Sequence, residues 1–68
     1  MTNQQFTDYL QAKMDALLKM DPKDRPEGQE AMLTSALKIM THSPGPARRR
    51  FKRDYERRMA RQGVRLED

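Results

Sequence analysis

Residues 44–63, with the sequence PGPARRRFKRDYERRMARQG, decide how this chain folds. Two prolines around Gly45 cannot continue a preceding helix, whereas proline is favoured in the first turn of a new one. Gly63 stands where a glycine closes many helices in the left-handed conformation. The stretch therefore predicts a helix over about residues 46–62, with Ser43 as its N-cap.

This third helix has an apolar side and an arginine-rich side. Phe51, Tyr55 and Met59 are four residues apart, which places them on one narrow seam at about 100° per residue. On the same reckoning, five arginines lie between about 160° and 280° from the seam. They are Arg49, Arg50, Arg53, Arg57 and Arg61. Flanking the seam are Arg48, Lys52 and Arg58, whose stems can lie along it.

The basic residues are concentrated at one end of the chain. Residues 47–68 hold nine Lys/Arg and four Asp/Glu, whereas residues 1–46 hold five and six. A guanidinium presents a planar fork of donors that matches a phosphate or a carboxylate. The five arginines are therefore the candidate binding residues for an anionic macromolecule, either nucleic acid or an acidic protein surface.

A solvated helix surface is the simpler interpretation of the same charges. Asp54 can pair with Arg50 and Arg58, and Glu56 can pair with Lys52, which would neutralise part of the run. The spacing of Phe51 and Tyr55 on the seam also indicates core packing, although aromatic rings among basic residues can stack on bases.

Two further helices precede the break at residues 42–46. Thr2 and Gln5 form a capping-box pattern at the start of a helix over about residues 2–20. A second helix is predicted over about residues 26–41, with Pro26 in its first turn. The apolar residues of both segments recur at helical spacing, which predicts an antiparallel helical hairpin. The chain is thus expected to be all-α, a hairpin plus a third basic helix in a single small domain over residues 1–68.

The small size of the chain limits how much stability its hydrophobic core can provide. At 68 residues the core is marginal, and with no cysteine and one histidine there is no basis for a disulfide or a zinc site. We expect no metal and no cofactor. Small domains often compensate by association, so a homodimer through the first two helices is predicted.

Nothing in the sequence indicates catalysis or membrane insertion. His42 and Ser43 are neighbours in the chain, but no residue pattern supplies the rest of a catalytic triad. No apolar run approaches the length of a membrane span, and the seam is too narrow for insertion into a membrane surface. A non-enzymatic cytoplasmic protein is expected.

Two functions remain open. In the first, the protein docks its arginine-rich helix on nucleic acid or on a complex that processes nucleic acid. In the second, it is a small regulator or inhibitor, by analogy with small proteins that phages encode. Such a protein would bind and block a host protein through its basic or methionine-rich helical surface.

Overall fold

A computed structural model describes residues 1–63 as three α-helices. Helix α1 is Asn3–Lys19, α2 is Gln29–His42 and α3 is Gly45–Arg61, with a short 3₁₀ helix at Pro22–Asp24. No strand occurs in this part of the chain. The predicted all-α, three-helix domain is therefore confirmed, and α1 and α2 share the most extensive helix–helix contact.

The start of α1 has the predicted capping box. The Thr2 hydroxyl accepts a hydrogen bond from the Gln5 backbone N–H at 3.1 Å, and the Gln5 side chain accepts one from the Thr2 N–H at 2.9 Å. Met1 is partly buried against the core, as a residue before the cap often is. These contacts satisfy backbone N–H groups that the start of a helix otherwise leaves without partners. Helix α1 therefore begins at the position that the capping-box pattern predicts.

The core lies between the three helices and is small. Its buried members are spaced along the facing sides of the helices: Phe6, Leu10, Met14 and Leu17 of α1, Leu33, Ala36 and Met40 of α2, and Tyr55 of α3. Partly buried Phe51 and Met59 also pack against it. The centroid of the Phe6 ring lies 5.2 Å from that of Tyr55 and 6.3 Å from that of Phe51. Aromatic contacts to Phe6 therefore help to attach α3 to α1.

The second helix begins later than predicted. Gly28 has φ +79° and ψ −10°, a left-handed conformation that cannot lie inside a right-handed helix. The Gln29 N–H donates to the Pro26 carbonyl at 3.3 Å, which closes a turn before the helix. Placing Pro26 in the first turn of α2 was therefore wrong, because Gly28 is a turn residue and not a weak helical one.

Arg25 joins the end of α1 to the start of α2. Its Nε donates to the Leu17 carbonyl at 3.1 Å and its Nη2 donates to the Leu18 carbonyl at 3.2 Å. Its Nη1 lies 3.3 Å from a carboxylate oxygen of Glu30, and 19% of its side chain is exposed. One guanidinium thus satisfies two carbonyls at the C-terminal end of α1 and links the hairpin in a chain without cysteines.

We expect Arg25→Ala to lower the free energy of unfolding by about 1.5–3 kcal/mol, since it removes charge-assisted hydrogen bonds to a part-buried and an exposed carbonyl. Arg25→Lys should recover less than half of this loss because an ammonium lacks the planar fork. Glu30→Gln removes only the partly exposed ion pair and should cost about 1 kcal/mol or less. Urea denaturation followed by circular dichroism measures all three. Equal losses for Arg25→Ala and Glu30→Gln would contradict a role for the carbonyl contacts.

The connection between α2 and α3 is short. The Ser43 N–H donates to the Ile39 carbonyl at 3.1 Å, so Ser43 ends α2, and Pro44 is the N-cap of α3. The prediction of Ser43 as that N-cap was wrong, because α3 already begins at Gly45. Most residues disfavour helical geometry before a proline, and Gly45, which has no Cβ, has less steric conflict with Pro46.

Gly63 closes α3 as predicted. It has φ +83°, and its N–H donates to the Ala60 carbonyl at 3.1 Å, which is one of the two hydrogen bonds of a Schellman motif. In the same sequence register, Met59 and Val64 are the two residues that would make the hydrophobic contact of this motif, but Val64 and the rest of the tail lie outside the described residues.

Candidate functional site

Five arginines of α3 point away from the core, and we call them the arginine face. Its members are all exposed: Arg49, Arg50, Arg53, Arg57 and Arg61. The opposite side of α3 carries Phe51, Tyr55 and Met59, which pack against the core. Burial of that seam fixes the orientation of the helix and therefore holds the arginine face toward solvent.

The guanidiniums of the arginine face have no carboxylate partner among residues 1–63. The ion pairs in this part of the chain join Lys23 to Asp21, Arg25 to Glu30, and Lys52 to Glu56. The last of these confirms one predicted pair. The predicted pairs of Asp54 with Arg50 and Arg58 were wrong, since neither comes within ion-pair distance. Within residues 1–63, no ion pair therefore neutralises a guanidinium of the arginine face.

A shallow depression runs along the arginine face. It has a volume of about 420 Å³ and is lined by Pro46, Arg49, Arg50, Arg53, Asp54 and Arg57. Four cations thus surround one carboxylate, that of Asp54. An anion that enters meets a positive potential together with several guanidinium donors. This arrangement suits a phosphate or a carboxylate.

The three flanking cations differ in their surroundings. Lys52 is half-buried, and its Nζ donates to the Met1 carbonyl at 2.7 Å and lies 3.5 Å from a Glu56 carboxylate oxygen. Arg48 is also half-buried, and its buried Nε has no hydrogen-bond partner among the described residues. Arg58 is exposed. Lys52 therefore ties the N-terminus to α3, a role that sequence spacing could not reveal because the two residues are far apart in the chain.

A second cleft lies where the arginine face meets the start of α1. It is lined by Met1, Thr2, Asn3, Arg49, Lys52, Arg53 and Glu56, and its volume is about 420 Å³. Two members of the arginine face, Arg49 and Arg53, thus border both depressions. The positively charged surface therefore continues from α3 toward the first turn of α1.

The aromatic rings of the chain all belong to the core or pack against it. Phe6 is 0% exposed and Tyr55 is 5% exposed, while Tyr9 and Phe51 are partly buried. The predicted core packing is confirmed, since Tyr55 is a core residue and Phe51 packs against the core. The rings are therefore occupied by one another and leave the arginine face without an aromatic surface.

Burial raises the pKa of the Tyr55 phenol above its ordinary value of 10.0, with a further increase from Tyr9 and a decrease from Arg58. The folded state therefore holds this proton more tightly than the unfolded state does. The resulting stabilisation is complete below about pH 10 and is lost as the pH rises through the folded-state pKa.

We expect the free energy of unfolding of the wild-type protein to fall more steeply above about pH 10 than that of Tyr55→Phe, which has no phenolic proton at this position. Urea denaturation at a series of pH values up to about 11 measures the difference. The remaining titrating groups are common to both proteins and cancel in the comparison. Parallel curves for the two proteins would contradict this account of Tyr55.

Other classes of site find no support within residues 1–63. No group of three or more metal-ligating side chains occurs there, and His42 is exposed on its helix end. Across the same residues, no helix combines the length and apolar character that crossing a membrane requires. No protein-family model matches the chain, and no curated protein or solved structure is significantly similar to it, so its function has to be inferred from the arginine face.

Proposed function

We propose that this protein is a non-catalytic nucleic-acid-binding protein that docks through its arginine face. One observation carries the proposal: five exposed guanidiniums without carboxylate partners in the described chain lie on one side of a helix whose other side is held by the core. Among residues 1–63, no carboxylate lies within ion-pair distance of these guanidiniums.

The geometry of the arginine face fits a row of phosphates. From Arg49 to Arg61 the helix rises about 18 Å at 1.5 Å per residue. Phosphates along one strand of a duplex advance about 3.4 Å per nucleotide along its axis, so the arginine face is about five nucleotides long. Each guanidinium can donate two hydrogen bonds to a phosphate. Phosphate contacts position a protein without reading sequence, so we propose binding with little sequence preference.

A salt titration tests the proposal. The affinity for a fluorescein-labelled oligonucleotide is measured by anisotropy from about 50 to 200 mM salt. Five phosphate contacts on a duplex predict a slope of log K against log salt of about −4.5, or about a 500-fold loss of affinity over this range. No binding at the lowest salt, or a slope weaker than about −1, would contradict the proposal.

The protein-binding alternative is favoured by a different observation. Leu18, Met20 and Met32 are 50%, 41% and 40% exposed, and they lie on or beside the two helices that do not carry the arginine face. Such residues suit a hydrophobic partner groove or the homodimer predicted from the sequence. Sedimentation velocity tests the homodimer. The regulator would be supported by a complex with one host protein, provided that the complex survives nuclease treatment and is lost in Met32→Gln.

A further inference from the structure

We infer that the nucleic acid bound by the arginine face is B-form duplex DNA and not a single strand or an RNA duplex. The inference rests on the proposed function and specifies its substrate class. It depends on two features of the molecule, namely where its aromatic rings lie and how widely its arginines are spread around α3.

The aromatic rings lie in the core or against it, and none belongs to the arginine face. Proteins that hold single strands usually combine a positive groove with aromatic side chains on which unpaired bases stack. The chain has two Phe, two Tyr and no Trp, and all four rings belong to the core or pack against it. The Phe6 ring stacks with Tyr9 at 6.3 Å and meets Tyr55 edge-on at 5.2 Å. A single strand would therefore gain charge and guanidinium contacts from the arginine face but no aromatic stacking there.

The spread of the arginine face suits two rows of phosphates. At about 100° per residue its members cover an arc of about 120°, so the guanidiniums at its two edges point in directions about 120° apart. The major groove of B-form DNA is about 12 Å wide and admits an α-helix, so guanidiniums on both sides of this arc can face the phosphates of both strands. In an RNA duplex the major groove is deep and narrow and does not admit the helix.

The affinities for different forms of one sequence distinguish these substrates. A mixed 20-nucleotide sequence is prepared as single-stranded DNA, as a DNA duplex and as an RNA duplex, each with the same label. At about 0.1 M salt we expect the DNA duplex to bind about tenfold more tightly than the single strand. For five contacts on each form and equal affinities at about 1 M salt, counterion release gives this factor, because its slope is about −0.9 per contact for a duplex and about −0.7 for a single strand.

The outcomes separate the inference from the proposed function. Tighter binding of the DNA duplex than of both other forms, with a slope near −4.5, supports the inference. Equal or tighter binding of the single strand or of the RNA duplex overturns it while leaving nucleic-acid binding intact. If no form binds, or if binding is insensitive to salt, the proposed function fails and the inference fails with it.

A matched variant shows whether the preference depends on the arginine face. Lys19→Gln/Lys23→Gln/Lys38→Gln removes three positive charges from exposed positions outside α3. It should keep the duplex preference and most of the affinity. A loss of the preference for the DNA duplex over the RNA duplex in this variant would overturn the inference, because that preference would then not depend on the placement of the arginines.

Discussion

Replacing Arg49, Arg53 and Arg57 together by glutamine is expected to lower the affinity for a DNA duplex by about 100-fold at about 0.1 M salt. Three charge-assisted phosphate contacts at about 1 kcal/mol each account for this factor. The slope of log K against log salt should weaken from about −4.5 to about −1.8, because only two phosphate contacts remain. Glutamine keeps the helical preference and much of the length of the side chain, so charge is the main change.

The control for this variant is the triple lysine variant, Lys19→Gln/Lys23→Gln/Lys38→Gln. Both variants reduce the formal net charge of the protein from +4 by the same three units. If overall charge governs binding, the two should lose affinity equally. If the arginine face is the site, the lysine variant should remain within about threefold of the wild type, since its charges lie outside the contact and are screened. Equal losses would contradict the site assignment.

The same arginine variant should be at least as stable as the wild type. Arg49, Arg53, Arg57 and Arg61 follow one another at four-residue intervals, and like charges at this spacing destabilise a helix by about 0.2–0.5 kcal/mol per pair. The arginine face therefore works against the stability of the helix that carries it. Such a conflict is expected at a functional surface and is hard to explain for a purely solvated one. Thermal unfolding of the variant and the wild type measures it.

The sequence predicted those features that depend on neighbouring residues. The capping box of Thr2 and Gln5, the seam on α3 and the closure at Gly63 all follow from local spacing, and each is present. The start of α2 was predicted wrongly because Gly28 fits both a weak helix position and a left-handed turn. Only the packing of the surrounding chain selects between these two conformations.

Contacts between distant residues were not predictable. Arg25 reaches carbonyls eight and seven residues earlier in the chain, and Lys52 reaches the Met1 carbonyl 51 residues away. No periodicity reports such contacts, since they depend on how the helices are arranged. For the candidate site, helical spacing placed the five arginines together, but only the structure shows that Asp54 lies beyond ion-pair distance of Arg50 and Arg58.

Leu10→Ala is the substitution expected to damage the fold most, with a loss of about 3–5 kcal/mol in the free energy of unfolding. Leu10 is 0% exposed, so alanine leaves a cavity between the helices. The whole stability of a chain this size is only about 3–10 kcal/mol. Leu18→Ala makes the same chemical change in the same helix, but Leu18 is 50% exposed and the loss should be about 1 kcal/mol or less. Urea denaturation compares the two, and similar losses would contradict the packing described for α1.

The same pair of variants tests whether DNA binding needs only the arginine charges or also the folded core that orients α3. Leu10→Ala keeps every arginine but loosens the core that orients α3, and an isolated helix of this length is only marginally stable in water. If docking requires the preformed arginine face, the affinity of Leu10→Ala for duplex DNA should fall in proportion to its folded fraction, while Leu18→Ala should bind as the wild type does. Full binding by a largely unfolded Leu10→Ala protein would mean that the charges act without the fold. The small core would then serve some other purpose than holding the arginines in place.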